Sequence, residues 1–338
     1  MSKRGESGLS LLVGVDKPAG MSSHDVVNRC RCIFGERRVG HTGTLDPLAT
    51  GCLLICVGPA TRLDAYFTGH DKCYQVRVAF GAATDTDDAA GQVTRTAPVP
   101  DELKDEDFAR KFVAGLVGKS NQLPPVYSAL KVNGKKACDE ARKGNVIDLQ
   151  PRAIEVYQAQ LLGMGADPES DLFYWDVFLH VSKGTYIRSI ARDMGLNLGC
   201  PAHVAELRRT QAGALSLDEC VSLETLEEIG TRATLDPIRL LGYRFLFADE
   251  AMAAKVANGN PLRASDVQLC CRPHHGGEAA MCACTSGVRP STEPPADGEV
   301  VCVVAANKLV ALYAYEERRR QFRSRCVFPV GVSRGEGI

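Results

Sequence analysis

The chain reads as an α+β protein built on a largely antiparallel sheet with flanking helices, followed by a smaller, mainly β portion. Three observations carry that reading. Residues 73–80 and 173–181 alternate apolar and other side chains with the period of two that a strand requires. Segments near Ser22, Phe108 and Ile187 instead repeat apolar residues at helical spacing, so strands and helices are mixed along the chain. The composition then shifts after about residue 245.

The elements follow in order. The opening run MSKRGESGLSLLVGVDKPAG has a basic start and a short apolar stretch broken by glycine, which predicts a strand rather than a signal peptide. Residues 22–34 predict a helix: Val26, Val27, Cys30, Ile33 and Phe34 share a face, Ser22 and Asp25 form a capping pair, and Gly35 is the stop. Residues 53–57 are a short apolar run. Tyr74, Val76, Val78 and Phe80 make one face of a strand whose other side is wet, and residues 85–91 form an acidic, turn-rich loop. Phe108, Phe112, Val113 and Leu116 mark a helix that Pro124-Pro125 ends. Residues 126–147 carry Lys131, Lys135, Lys136, Arg142 and Lys143 around an Asn133-Gly134 turn. A long strand follows through Phe173, Trp175, Val177, Leu179 and Val181, then a helix through Ile187, Ile190, Ala191 and Met194. Residues 299–305 and 308–315 are the closing strands, and residues 269–297 between them and the preceding chain are a Cys-, His-, Gly-, Pro- and Ser-rich insertion.

At 338 residues the chain has room for two cores, and 45% hydrophobic with 24% charged residues is ordinary for a globular protein. No stretch is long enough to cross a membrane, so a cytoplasmic location is the expectation. The fourteen cysteines are scattered, and Cys30, Cys52, Cys56 and Cys302 lie inside apolar patterns as small hydrophobes rather than in a disulfide framework. A net charge of −1 gives no general attraction to nucleic acid, so any RNA footprint must be local.

The run from Gly40 to Gly51, GHTGTLDPLATG, holds the chemistry. Asp46 stands before Pro47, which disfavours helical backbone and places the carboxylate on an extended or turn segment. Gly40, Gly43 and Gly51 permit tight turns or close approach of another backbone. An isolated Asp-Pro is ordinarily only a turn.

The surroundings change that reading. The run resembles the signature motif of the TruB family of pseudouridine synthases, and four further motifs resemble that family's in order: VDKPAGMSS from Val15, Lys72-Cys73-Tyr74, SKGTYIR from Ser182, and AHVAELRR from Ala202. The resemblance spans roughly residues 10 to 215. It implies a mixed sheet with an active site in a cleft across its face. It implies an isomerase that converts uridine 55 in the T-loop of tRNA to pseudouridine, without a guide RNA. That chemistry detaches, turns and rejoins a base with no redox change or net hydrolysis, so no cofactor and no metal is expected.

Residue by residue, the resemblance makes Asp46 the catalytic carboxylate. Three roles are open to it: attack on the ribose, attack on the base, or stabilisation of a glycal-type intermediate. Arg188 is its expected partner, because a guanidinium fork can offset the cost of burying a carboxylate. Tyr74 stacks on the flipped uracil, with Tyr186 and Leu207 lining the same pocket, although a tyrosine on an apolar strand is ordinarily core. His41 helps to take the base out of the loop stack, Lys17 with Pro18 buttresses the cleft, and Asp88 contacts the pocket or the RNA. Asp85, Asp87 and Asp88 lack the spacing of an EF-hand. Lys131, Lys135, Lys136, Arg142 and Arg208 are the expected RNA-backbone contacts, the first four in a basic RNA-gripping insertion. Arg318, Arg319, Arg320, Arg323 and Arg325 form a second basic cluster, for tRNA or for protection of a strand edge.

The same resemblance divides the chain into a catalytic domain, residues 1–245, and a PUA-like RNA-binding domain, residues 246–338. Cys270, Cys271, His274, His275, Cys282 and Cys284 lack paired Cys-x-x-Cys spacing, and a flexible insertion is preferred to a zinc site. A monomer suits a protein whose partner is one tRNA. Two rivals remain: a guide-RNA-dependent, dyskerin-like synthase, and an RNA-binding protein that helps tRNA fold. The LATGCL continuation from Leu48 and the absence of a lysine-rich tail favour the stand-alone branch, and the set Asp46, Tyr74 and Arg188 favours retained chemistry.

Overall fold

A computed structural model describes residues 7–128, 130–132, 135–136, 143, 148–168, 170, 172–271 and 289–335. The chain groups into two compact units, one of Met1–Leu45, Gly51–Gly69 and Gly213–Ile338, the other of Asp46–Thr50 and His70–Ala212.

In the first unit, strand Leu11–Lys17 runs antiparallel to Thr50–Val57, in register from Leu11 opposite Val57 to Lys17 opposite Gly51. Helix Ser23–Phe34 packs Val26, Val27, Cys30 and Phe34 against Val13, Val15, Leu53 and Ile55. Its ends are those the sequence predicts: Ser22 and Asp25 form a capping box, and Gly35 takes the left-handed conformation at φ 59°. The Ser23 hydroxyl donates to the Leu45 carbonyl at 3.0 Å and accepts from the Leu45 amide at 2.8 Å, which pins this loop to the helix.

The same unit ends in a five-stranded sheet. Its strands Val300–Ala305, Lys308–Glu316 and Gln321–Ser333 are flanked by Phe245–Phe247, the one parallel member, and Leu262–Arg263. Two of these strands are the expected closing strands; the thirteen-residue Gln321–Ser333 is an addition. Its Phe322, Cys326 and Phe328 point inward and Arg323 outward, an alternation hidden within a run of arginines.

The second unit holds an antiparallel sheet in the order Ala202–Ala212, Lys72–Phe80, Phe173–Val181, Arg152–Ala166, Gly118–Gln122. Trp175 is fully buried on one face. Its indole donates to the Leu103 carbonyl at 3.0 Å, and its ring meets Phe80 at 4.8 Å and Phe112 at 5.9 Å, so helix Glu106–Ala114 covers that face. Lys72–Phe80 is less wet on its second side than the alternation suggests, because Cys73 and Ala79 are also buried in this inner strand. Arg77 on that side is held by Asp176, Glu206 and the face of Tyr174.

Three strands of this sheet go beyond the sequence reading: Ala202–Ala212, Gly118–Gln122 and Arg152–Ala166. The helix ends at Gly115, not at Pro124-Pro125, and the edge strand Gly118–Gln122 intervenes. Its exposed Lys119, Ser120 and Asn121 carry no apolar alternation to signal it. Arg152–Ala166 was also not anticipated, because register shifts near Val156 and Leu161 break its period of two. Among the described residues, no helix is long and apolar enough to cross a membrane.

Candidate active site

Asp46 opens a tight turn: its carbonyl accepts from the Ala49 amide at 3.1 Å, with Pro47 at the position where its fixed φ is favourable. Gly43 and Gly51 take φ of 107° and 102°, conformations that a side chain would strain. Thr50 Oγ1 lies 3.5 Å from the Leu207 carbonyl and accepts from Arg208 Nη1 at 3.1 Å.

Helix Ile187–Asn197 presents Arg188 in its first turn. Tyr186 precedes it without a side-chain cap of its own. The Gln122 amide instead anchors the residue at the helix start, accepting from Tyr186 N at 2.9 Å and donating at 3.1 Å to Tyr186 O, which also accepts from Ile190 N. Gly195 lets the helix approach the following strand, since a Cβ there would fall 2.6 Å from the Cys200 carbonyl oxygen.

Arg188 and Asp46 form a two-point pair, Nε to Oδ2 at 2.8 Å and Nη2 to Oδ1 at 3.0 Å. The arginine side chain is only 6% exposed, whereas the Asp46 side chain keeps 33% of its surface open. Arg188 also donates to the Thr86 carbonyl and the Tyr127 carbonyl, both at 3.0 Å, and lies 3.6 Å from Asp88 Oδ2. Asp88 is buried and held in turn, accepting from Thr86 Oγ1 at 2.6 Å and the Ala90 amide at 3.1 Å. The two terminal nitrogens of the guanidinium thus have hydrogen-bond acceptors, while the buried Nε makes no directed hydrogen bond and meets Asp46 and Asp88 by charge alone. A third of the Asp46 side chain stays exposed beside this cation.

Three other expected residues, Tyr186, Tyr74 and Leu207, lie in the second unit. Tyr186 lies within electrostatic reach of Arg188 and Asp46, and burial pushes its phenol above the usual range. Tyr74 and Leu207 share one sheet face, Tyr74 opposite Arg209 and Leu207 opposite Val76 on adjacent strands, and both are buried. Lys72, two residues before Tyr74, is also buried. That burial, with Arg209 and Lys183 nearby, pushes its ammonium down to about 8.

Lys17 and His41 belong to the first unit. Lys17 is fully buried and closes the following turn, its Nζ donating to Pro18 O at 2.8 Å and Met21 O at 2.6 Å. His41 lies in the short strand Val39–His41, opposite Ile55. In the basic insertion, Lys131–Val132 pairs with Lys135–Lys136, while the side chains of these lysines, and Arg142 altogether, lie outside the described residues. Cys270 is buried and bonded through its backbone to Phe245, and His274, His275, Cys282 and Cys284 lie outside the described residues. Among the described residues there is no cluster of three or more potential metal ligands.

Sequence reasoning missed the carbonyls of Thr86 and Tyr127 and the side chains of Gln122 and Arg192. A backbone carbonyl leaves no signature in residue types, and Gln122 lies in the strand that went unseen. Arg192 alone had a signal, being four residues after Arg188 and therefore on the same helix face.

Comparison with known proteins gives the arrangement its context. A solved H/ACA ribonucleoprotein bound to a substrate RNA containing 2′-deoxyuridine matches at a TM-score of 0.64 and 20% identity, over 97% of this chain and 87% of that one. The chain shares that structure's fold. The model of the TruB family pseudouridylate synthase N-terminal domain matches residues 31–187, and that of the tRNA pseudouridylate synthase B C-terminal domain matches residues 188–240. The tRNA pseudouridine synthase B of Deinococcus radiodurans is 40% identical over 73% of this chain and 87% of its own length. That of Mycobacteroides abscessus is 42% identical over 76% and 86%. The chain belongs to the TruB family of pseudouridine synthases.

Proposed function

We propose that the chain isomerises uridine to pseudouridine at position 55 in the T-loop of tRNA, acting alone on a flipped-out base. The observation that carries this reading is the two-point pair between a buried Arg188 and a half-open Asp46, in a chain about 40% identical to proteins named tRNA pseudouridine synthase B.

The geometry suits the chemistry. The guanidinium stabilises negative charge on Asp46 and fixes its direction, so the exposed side of the carboxylate meets the reacting uridine. Tyr74 stacks on the detached uracil, with Tyr186 and Leu207 as the remaining walls. Unstacking the target costs a few kcal/mol, which stacking worth about 1–3 kcal/mol partly offsets. His41 assists extrusion of the base, and Lys17 buttresses the motif that carries it. Lys131, Lys135, Lys136, Arg142 and Arg208 contact phosphates. Residues 1–245 act as the catalytic part, and residues 246–338, with their β-sheet and exposed Arg323, act as a PUA-like RNA-binding part. The protein works in the cytoplasm as a monomer.

The guide-dependent alternative has the H/ACA structure in its favour, but at 20% identity that likeness extends to the fold alone. The deciding experiment reacts purified protein with an elongator tRNA transcript and maps pseudouridine by chemical labelling and primer extension. A single stop assigned to uridine 55, with no added RNA, is the expected result. Modification only after a cellular RNA fraction is supplied would overturn the guide-free reading, and a different position would overturn the T-loop assignment.

A further inference from the structure

Two arginines on one helix bridge the same two chain segments. Arg188 donates to the carbonyl of Thr86 and to that of Tyr127. Arg192, one turn later, pairs with Asp87 at 3.3 Å and donates to the Leu123 carbonyl at 2.8 Å. Residues 86–88 and 123–127 are therefore each tied to the helix twice, once by the arginine that holds Asp46 and once by an arginine that does not touch it. Ser189 adds a bond to the Leu123 carbonyl at 2.9 Å, and the Gln122 amide fixes the backbone of Tyr186.

We propose that Arg192, with Asp87, is a positioning residue for Arg188, holding in place the two carbonyls that aim its guanidinium at Asp46. This rests on the reading of Asp46 and Arg188 as the reacting centre. Arg188 Nη2 shares its donors between Asp46 Oδ1 and the Tyr127 carbonyl, and Nη1 bonds Thr86 O. If either carbonyl moves, the fork loses an acceptor and rotates to find another, and the two-point grip on the carboxylate is the geometry lost. Asp87 is fixed through its backbone as well as its side chain. It is a non-glycine residue at φ 60°, a conformation that persists only where the surroundings over-determine it. Its carboxylate pairs with Arg192 while its carbonyl accepts from the Val204 amide at 3.0 Å.

The test compares wild type with Arg192→Gln, Asp87→Asn, their double variant, and Arg192→Lys, on a T-arm stem-loop. Single-turnover rates are measured at saturating RNA, and affinities are measured separately. The account expects Arg192→Gln to lower the rate about tenfold with affinity within about twofold, and the double variant to be no slower than the worse single variant. Arg192→Lys, which can keep one of the two bonds, should recover part of the rate. The Arg188 Nε–H resonance in 15N-arginine-labelled protein, assigned by its loss in Arg188→Lys, gives a readout that needs no turnover. It should shift or broaden in Arg192→Gln. A wild-type resonance there, or a wild-type rate at saturation, would overturn the clamp. An inactive wild type with a perturbed Arg188 resonance in Arg192→Gln would instead overturn the functional reading and keep the clamp.

Discussion

Arg188 holds Asp46 at two points while lying almost wholly buried, and the carboxylate it holds keeps a third of its surface open. One partner is fixed from behind and the other is presented, the arrangement that the role proposed for Asp46 requires.

Arg188→Lys keeps the charge and loses the fork. A lysine cannot bond both carboxylate oxygens, Thr86 O and Tyr127 O in the same plane. The single-turnover rate should fall by roughly 10²-fold, the scale of losing one preorganised electrostatic contact. RNA affinity should change little, which rapid-quench kinetics beside a filter-binding titration will check.

Asp88→Asn removes the second negative charge beside Arg188, 3.6 Å away, but keeps an oxygen for the Thr86 hydroxyl. The loss should be milder, about tenfold in single-turnover rate, because Asp46 still satisfies the fork. A loss as large as that of Asp46→Asn would assign Asp88 to the reaction itself.

Lys72 makes a prediction about pH. Burial first, then Arg209 and Lys183, depress its ammonium to about 8 in the folded protein, against about 10.4 in an unfolded chain. Between those values the unfolded state binds more protons, so this group makes stability rise with pH from about 8 to about 10.4. Below pH 8 both states are protonated and the folded one carries the destabilising buried charge. In Lys72→Met the rise should vanish relative to wild type, with the variant gaining at pH 7 what wild type recovers only at high pH. Urea midpoints at pH 7, 8.5 and 10 measure it.

Trp175→Phe should destabilise the second unit without touching the reacting pair. The indole is fully buried and donates to the Leu103 carbonyl, which would be left without that donor. A loss of about 1–3 kcal/mol by urea unfolding is expected, with the rate per folded molecule unchanged.

Much of this arrangement was legible in the sequence where local rules and the fold agree. Ser22, Asp25 and Gly35 delimit the first helix because capping is a local chemistry, and Trp175 to Val181 alternate because one sheet face is covered. The Asp46–Arg188 pairing was legible through the resemblance of their two motifs to the TruB family, to which residue type added only that a guanidinium fork can hold a carboxylate. What escaped was long-range or carried by backbone. Gly118–Gln122 is a polar edge strand that exists because Arg152–Ala166 pairs with it, and the carbonyls that hold Arg188 belong to loops whose course the residue types do not encode. The last strand was obscured by its own arginines, which drew attention to charge and away from Phe322, Cys326 and Phe328.

The most direct measurement is tritium release from carbon 5 of labelled uracil in a minimal T-arm stem-loop, using purified protein with no added RNA, beside Asp46→Asn. The account predicts release by wild type alone, with the variant silent although it still binds the stem-loop. Release by Asp46→Asn at a rate near wild type would contradict the role given to Asp46, and with it the meaning of the pair it forms with Arg188.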